Sequence, residues 1–310
     1  MFLISKFLAL SISMWLLSTV QSNPSFKTEL DSLPYSIPDD KIVPLRSLLD
    51  QDLQNRLEKR LNKNKTWKKL IKKRFMAVGV VDLSNPLHAK FARVNGDEMM
   101  YAASLPKLAI LLAISQSLED STLIETEEIR EDMRQMISRS DNEAATRLID
   151  WIGLPKINEV LKDPKYELYD EDSGGGLWLG KRYARKGSRI GDPINNISHG
   201  ATVTQVCRFY YLLAMGKLVN RHRSEQMLEY LADPELHHKF VNSLDKLVPE
   251  AKIYRKSGTW SIYHSDSALV WGPKWRRYIV VGLIESQQGE QILRDLIPAV
   301  EEILHSRSKS

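Results

Sequence analysis

Ser104 and Lys107 stand three residues apart at the head of an apolar run, Leu108-Ala109-Ile110-Leu111-Leu112-Ala113-Ile114, that shows no polar position until Ser115. Such a run reads as a helix buried on all sides, and the three-residue spacing puts hydroxyl and amine on one face of it. Pro106 fits the first turn, where backbone N–H groups lack intrahelical partners. An amine entering a core at the positive end of a helix loses affinity for its proton, and can then accept one from the hydroxyl a turn away. The plainer alternative is a capping serine beside a lysine that snorkels to water. Spacing does not decide, because Ser243-Leu244-Asp245-Lys246 and Ser306-Arg307-Ser308-Lys309 share it. Two other short stretches carry chemistry-bearing groups: Ser140-Asp141-Asn142 and Lys256-Ser257-Gly258-Thr259.

The elements that must position these groups follow from periodicity. Residues 75–83 read as a strand, Ser84-Asn85-Pro86 as a turn, and residues 88–94 as the hairpin partner. Helical patterns cover about 43–61, 122–137, from Asp141 to about Ile152, 202–216, 224–231 and 287–306. Three more strands fall at 252–260, 267–271 and 278–284. Ser140 or Asp141 suits the N-cap of the helix that follows it. Strands at both ends of the chain and hairpin-like connections predict an α+β fold: an antiparallel sheet of about five strands flanked by helices, with an all-helical lobe. The expected division is a sheet lobe from 45–103 and 251–310 and a helical lobe at 104–250, with a site between them. Residues 153–201 are the least regular, and the glycines at 174–176 lack the strand-to-helix context of a phosphate loop.

Composition limits the partners. A chain of 310 residues with formal charge +5 is mildly basic with acid and base well mixed, which does not call for nucleic acid. The basic run from Lys59 to Arg74 is expected to be a solvated helix face. Residues 1–22 read as a secretory leader, with Lys6, an apolar run from Phe7 to Leu17 and small-residue cleavage at Val20-Gln21-Ser22; the rival reading is an uncleaved anchor, for which the apolar run is short. Loss of Lys6 with the leader would leave +4, no membrane span, an extended arm at 23–44 and an exported, periplasmic or extracellular domain. Cys207 is the sole cysteine, so an internal disulfide and a multi-cysteine metal site are excluded; it reads as a small buried helix residue. Scattered histidines imply no metal and no cofactor, and His237-His238 reads as a surface pair. Arg276 and Arg277 could hold a substrate carboxylate or be exposed strand-end charges.

Ser104-x-x-Lys107, Ser140-Asp141-Asn142 and Lys256-Ser257-Gly258, in this order and these contexts, resemble the serine β-lactamase and penicillin-binding protein superfamily, most closely class A β-lactamases. The resemblance spans most of 75–305, including Ser265-Asp266-Ser267-Ala268-Leu269-Val270-Trp271-Gly272-Pro273 and Thr202-Val203-Thr204-Gln205. It implies that Ser104 attacks an acyl carbonyl with Lys107 as proton acceptor. It further implies that Ser140 relays a proton to the leaving nitrogen and that Asn142 binds the substrate amide and positions Lys107. Lys256 and Ser257 would meet a substrate carboxylate, Gly258 would permit close approach, and the Ser104 and Thr259 amides would form an oxyanion hole. Implied substrates are a small-molecule β-lactam or a peptidoglycan peptide.

Two departures stand out. Ser140 follows Ser104 by only 36 positions, fewer than is usual in class A enzymes, which predicts a more open cleft. Class A enzymes also activate the deacylating water with an omega-loop glutamate, and residues 174–201 contain none. Glu167 and Glu171 are the nearest candidates and read better as solvated loop carboxylates. Three functions stay open: a β-lactamase, a peptidoglycan D,D-peptidase or related serine hydrolase, and an exported binder or sensor that acylates without turnover.

Overall fold

Leu53, Leu57 and Leu61 recur along one face of α1 (Gln51–Asn62) and are buried, and Trp67 is the buried residue of α2 (Lys65–Lys72). Asp50 caps the first helix by accepting from Leu53 N, and Asn64 caps the second by accepting from Thr66 N and Trp67 N. Lys59, Lys63, Lys65, Lys68, Lys69, Lys72, Lys73 and Arg74 are exposed, a solvated face. The structure is a computed structural model that describes residues 33–305 except 35, 36, 233 and 274. The leader expected at 1–22 lies outside the described residues, as does most of the arm that follows it.

Strands β1 (Met76–Asp82) and β2 (Lys90–Val94) form the expected hairpin, and β3 (Met100–Tyr101) leads into α3 (Lys107–Glu119). Every residue of α3 from Lys107 to Ser115 is buried. It is followed by α4 (Glu127–Ser138) and α5 (Asn142–Lys162). The last runs ten residues past the expected end because Gly153, at φ 79°, breaks the backbone direction and Pro155 opens a second helical segment in the same element. Residues 153–201 hold, besides that segment, four short strands: β4 (Tyr169–Asp170), β5 (Gly175–Gly176), β6 (Trp178–Leu179) and β7 (His199–Ala201). Strand β7 pairs with β3 and β6, which ties this irregular stretch to the residues just before Ser104.

The chain continues through α6 (Val203–Ala214), capped by Thr202, then α7 (Arg221–Leu231) and α8 (Phe240–Leu247). It closes with β8 (Lys252–Trp260), β9 (Tyr263–Trp271), β10 (Arg277–Glu285) and α9 (Gly289–His305). Helix α8 was not expected: it is short, and its first residue follows Lys239, which has φ 53° and makes no side-chain cap. Strand β9 starts four residues before the expected 267 because its polar start, Tyr263-His264-Ser265-Asp266, lacks an apolar run.

The main sheet is five-stranded and antiparallel in the order β2-β1-β10-β9-β8. Alternation decides its two faces. Met76, Val78 and Val80 pack in the core with α1, α2, α8 and α9, whereas Ala77 and Val81 pack with α3 and α6. Cys207, on α6, is fully buried on that second face, and an added Cβ at Gly79 of β1 would stand 2.7 Å from its sulfur. Burial pushes the Cys207 thiol up, so it stays protonated. No helix among the described residues is long and apolar enough to cross a membrane, and no group of three potential metal ligands occurs among them.

Candidate active site

Ser104 sits on the turn before α3. Ala103 adopts φ 52°, and the Leu105 and Lys107 amides donate to the carbonyls of Ala102 and Ser104 at 3.0 and 3.2 Å. This tight turn stands against β8 at Gly258. A Cβ added at Gly258 would lie 2.3 Å from the Ala102 carbonyl oxygen and 2.6 Å from the Ser104 nitrogen. What comes close to Gly258 is therefore the backbone carrying the serine. That contact brings the Ser104 amide alongside the residue preceding Thr259. Ser265, the register partner of Gly258, adds a hydrogen bond from Oγ to Ala102 O at 2.8 Å.

Lys107 is completely buried. Its Nζ donates to Ser140 O at 2.6 Å, Asn142 Oδ1 at 2.8 Å and, more weakly, Ser140 Oγ at 3.4 Å. It also lies 4.5 Å above the Tyr183 ring. Burial lowers its pKa to about 7, opposed by the nearby Asp141 carboxylate. Asp141 is the N-cap of α5, accepting from Ala144 N at 2.7 Å, so Ser140 is released from capping. Ser140 has φ 60°, and its hydroxyl receives Lys256 Nζ at 2.9 Å from the opposite side of the cleft. Lys256 is itself 1% exposed; burial first, and then the charge of Lys107, hold its pKa well below the usual lysine value. One hydroxyl thus joins two buried amines contributed by α3 and β8.

Asn142 and Thr259, with Ser104, line a cavity of about 420 Å³. Tyr101, Tyr183, His199 and Trp260 form other walls. Tyr183 donates from its hydroxyl to Ala103 O at 3.2 Å, and its ring packs against His199 with centroids 4.7 Å apart. Burial depresses the His199 pKa to about 4, so the imidazole is neutral at physiological pH.

Three contributors carried no local signal in the sequence. Tyr183 and His199 reach the site through long-range pairing. Lys239 is fully buried beneath β8 and β9, donating to Gly258 O at 2.6 Å, Thr259 Oγ1 at 2.7 Å and Ser265 O at 3.1 Å. Burial lowers its pKa to about 8. His238 departs from the surface expectation: its Nε2 lies 3.4 Å from Ser257 Oγ, while exposed His237 pairs with Asp245 at 2.8 Å. Arg276 and Arg277 are apart from the cleft. Arg276 pairs with Glu301 at 3.3 Å, and Arg277 pairs in register with Trp271 at the end of β9 away from Ser265. Glu167 pairs with Arg208 at 3.1 Å and Glu171 with Lys162 at 2.8 Å, and neither lines the cavity.

Helices on both faces of an antiparallel sheet, with a serine at the head of a buried helix and two lysines meeting a second serine, define the serine β-lactamase and penicillin-binding fold. The model of the β-lactamase enzyme family matches residues 125–306, so the chain belongs to that family and is a serine hydrolase. The match begins downstream of Ser104 and Lys107. Among solved structures, PBP-A is similar at 16% identity, covering 84% of this chain and 97% of that one with a TM-score of 0.59. A β-lactamase from Sphaerobacter thermophilus is 16% identical over 80% of this chain and 95% of its own, TM-score 0.60. A mutant class A β-lactamase of the last common ancestor of Gram-negative bacteria is 17% identical over 82% and 99%, TM-score 0.61. A comparison with curated protein sequences found no match.

Proposed function

We propose that this chain is an exported serine hydrolase that opens a β-lactam amide by forming an ester on Ser104, and that the ester is long-lived. The observation that carries the reading is the Ser140 hydroxyl held between the buried amines of Lys107 and Lys256. In this scheme Ser104 Oγ attacks the lactam carbonyl and its proton passes to Lys107. Ser140 delivers a proton to the departing nitrogen and is reprotonated from the lysine pair. The Ser104 and Thr259 amides receive the oxyanion, and Asn142 holds the acyl-side amide. Lys256 supplies positive potential, and Ser257 a hydrogen bond, for the substrate carboxylate. Export is supported by the leader-like pattern at 1–22.

Slow deacylation is supported by the lining of the cavity, in which none of the described residues is Asp or Glu. Without a carboxylate to take a proton from water, the ester waits on a weaker base. The same lack favours a second reading, a peptidoglycan D,D-peptidase, in which a D-alanyl peptide replaces the lactam. A mutant of PBP-A has been solved as its acyl-enzyme complex with penicillin G, a precedent within the same fold.

The test is intact mass against time for the protein mixed with a penicillin, a cephalosporin and D-Ala-D-Ala peptides, beside Ser104→Ala. A single adduct that persists in the wild type and is absent from Ser104→Ala is the expected result. Destruction of many equivalents of antibiotic would overturn slow turnover, peptide cleavage would favour the peptidase, and neither adduct nor turnover would remove the β-lactam reading. Gly258→Ala should cut acylation about a hundredfold with the circular dichroism spectrum retained, because the methyl separates β8 from the Ser104 turn.

A further inference from the structure

Between residues 173 and 191 the chain carries Lys181, Arg182, Arg185, Lys186 and Arg189 and no Asp or Glu. The fold places this segment against the serine. Tyr183 hooks Ala103 through its hydroxyl, and Lys181, Arg182 and Arg185 line the same cavity as Ser104, Asn142 and Thr259. Arg182 is neutralised by Asp150. Lys181, half-buried, and Arg185, exposed, have no ion-pair partner among the described residues. A second hollow of about 320 Å³ adjoins the first through Tyr101, Ser198 and Trp260, and Arg189 lines it too. Arg189 is held by hydrogen bonds to the neutral Asn196, so its charge is not cancelled by that contact. Trp260, 65% exposed, stands where the two hollows meet.

On the other side of this cleft Lys256 already serves a carboxylate in the proposed scheme, and Lys107 is engaged as the base. The cations of the 181–189 segment are separate from them in the chain and are supplied with no internal counter-charge at two positions. A concave wall of one sign raises the local concentration of oppositely charged ligands and rejects those of its own sign. We propose that the cleft selects acyl donors carrying a second anion, a carboxylate on the acyl side in addition to the one beside the scissile amide, which Lys181 and Arg185 receive. This rests on the acyl-enzyme reading above and deepens it. A dianionic β-lactam and a cell-wall peptide with a free side-chain carboxylate share the required chemistry.

The experiment compares benzylpenicillin with carbenicillin, which adds an acyl-side carboxylate, and ampicillin, which adds an ammonium. A D-Ala-D-Ala peptide with and without an acidic side chain forms the second arm. Acylation rates by mass spectrometry are measured on the wild type and on Lys181→Gln/Arg185→Gln. Affinities are measured calorimetrically on Ser104→Ala, which cannot form the ester. The dianionic member of each arm should lead its monoanionic partner by roughly fivefold to tenfold, as two partly exposed ion pairs allow. That lead should vanish in the double variant and shrink in about 0.5 M salt, with benzylpenicillin little changed. A lead confined to the penicillins or to the peptides identifies the source of the anion. Equal affinities and rates within both arms, or a lead that survives the double variant, would overturn the proposal. Dianion preference in binding without any acylation would overturn selection of acyl donors together with the acyl-enzyme reading, leaving Lys181 and Arg185 as a site for a second anion only.

Discussion

Under the proposed mechanism, replacing Lys107 by alanine should lower the rate of Ser104 acylation by about 10²- to 10⁴-fold, the range expected when a positioned general base is lost. In the wild type the same rate should climb about tenfold per pH unit up to pH about 7 and then level off, because burial lowers the Lys107 pKa to about 7. The sign follows from the chemistry: only the neutral amine accepts the serine proton, and below its pKa the neutral fraction falls tenfold per unit. The geometry supports a shared proton. Lys107 and Lys256 meet at one hydroxyl, and the charge of Lys107 disfavours charge on Lys256. Lys107→Arg is the sharper variant, since a guanidinium keeps its charge throughout the range and cannot act as base. Rapid-quench mass spectrometry between pH 5 and 9 checks both statements. A flat profile, or an active Lys107→Arg, would assign the proton to another acceptor. The hydrogen bonds of Lys107 to Ser140 O and Asn142 Oδ1 also predict that Asn142→Ala shifts the midpoint, since it removes an acceptor that favours the charged amine.

The parts of this site that were legible in the sequence are those encoded locally. A buried helix head, a cap before α5 and a strand edge each have a short-range signature, and Ser104, Lys107, Ser140 and Lys256 come with them. The five-stranded sheet was legible largely through β1 and β10, which run apolar over five or more residues. Lys239 was illegible because His-His-Lys-Phe reads as surface. Only the chain's return beneath β8 gives that lysine its three acceptors. Strands β4 to β7 are two or three residues long, too short to show a period, and they exist through pairing with each other and with β3. The charge of the 181–189 segment was readable as composition, but its place over Ser104 depends on β7 pairing with β3 and on the Tyr183 hydrogen bond to Ala103. Gly258 could be read as a site of close approach, yet whether substrate or backbone approaches is a tertiary matter.

Asp266→Ala should cost about 3–5 kcal/mol of stability, the largest structural penalty expected from a single change near the site. Arg255 and Asp266 face each other across β8 and β9, with side chains 2% and 0% exposed, and join through two bonds of 2.7 and 2.9 Å. The carboxylate also accepts from Phe240 N at 3.1 Å and Ser267 N at 3.0 Å, and the guanidinium donates to Leu236 O at 2.8 Å. Deleting the carboxylate leaves a buried guanidinium without its counter-charge and leaves the first amide of α8 without its acceptor. The desolvation cost, more than the lost attraction, sets the size of the effect. Urea unfolding of Asp266→Ala beside Arg255→Met/Asp266→Leu separates the two: the apolar pair should recover most of the loss because no charge remains unpaired. If the double variant is as unstable as the single, the bridging of α8 to the strands carries the energy. In either case acylation should fall with stability, because Ser257 is the register partner of Asp266 and Lys256 that of Ser267. The ion pair therefore fixes the strand on which the second lysine of the site stands.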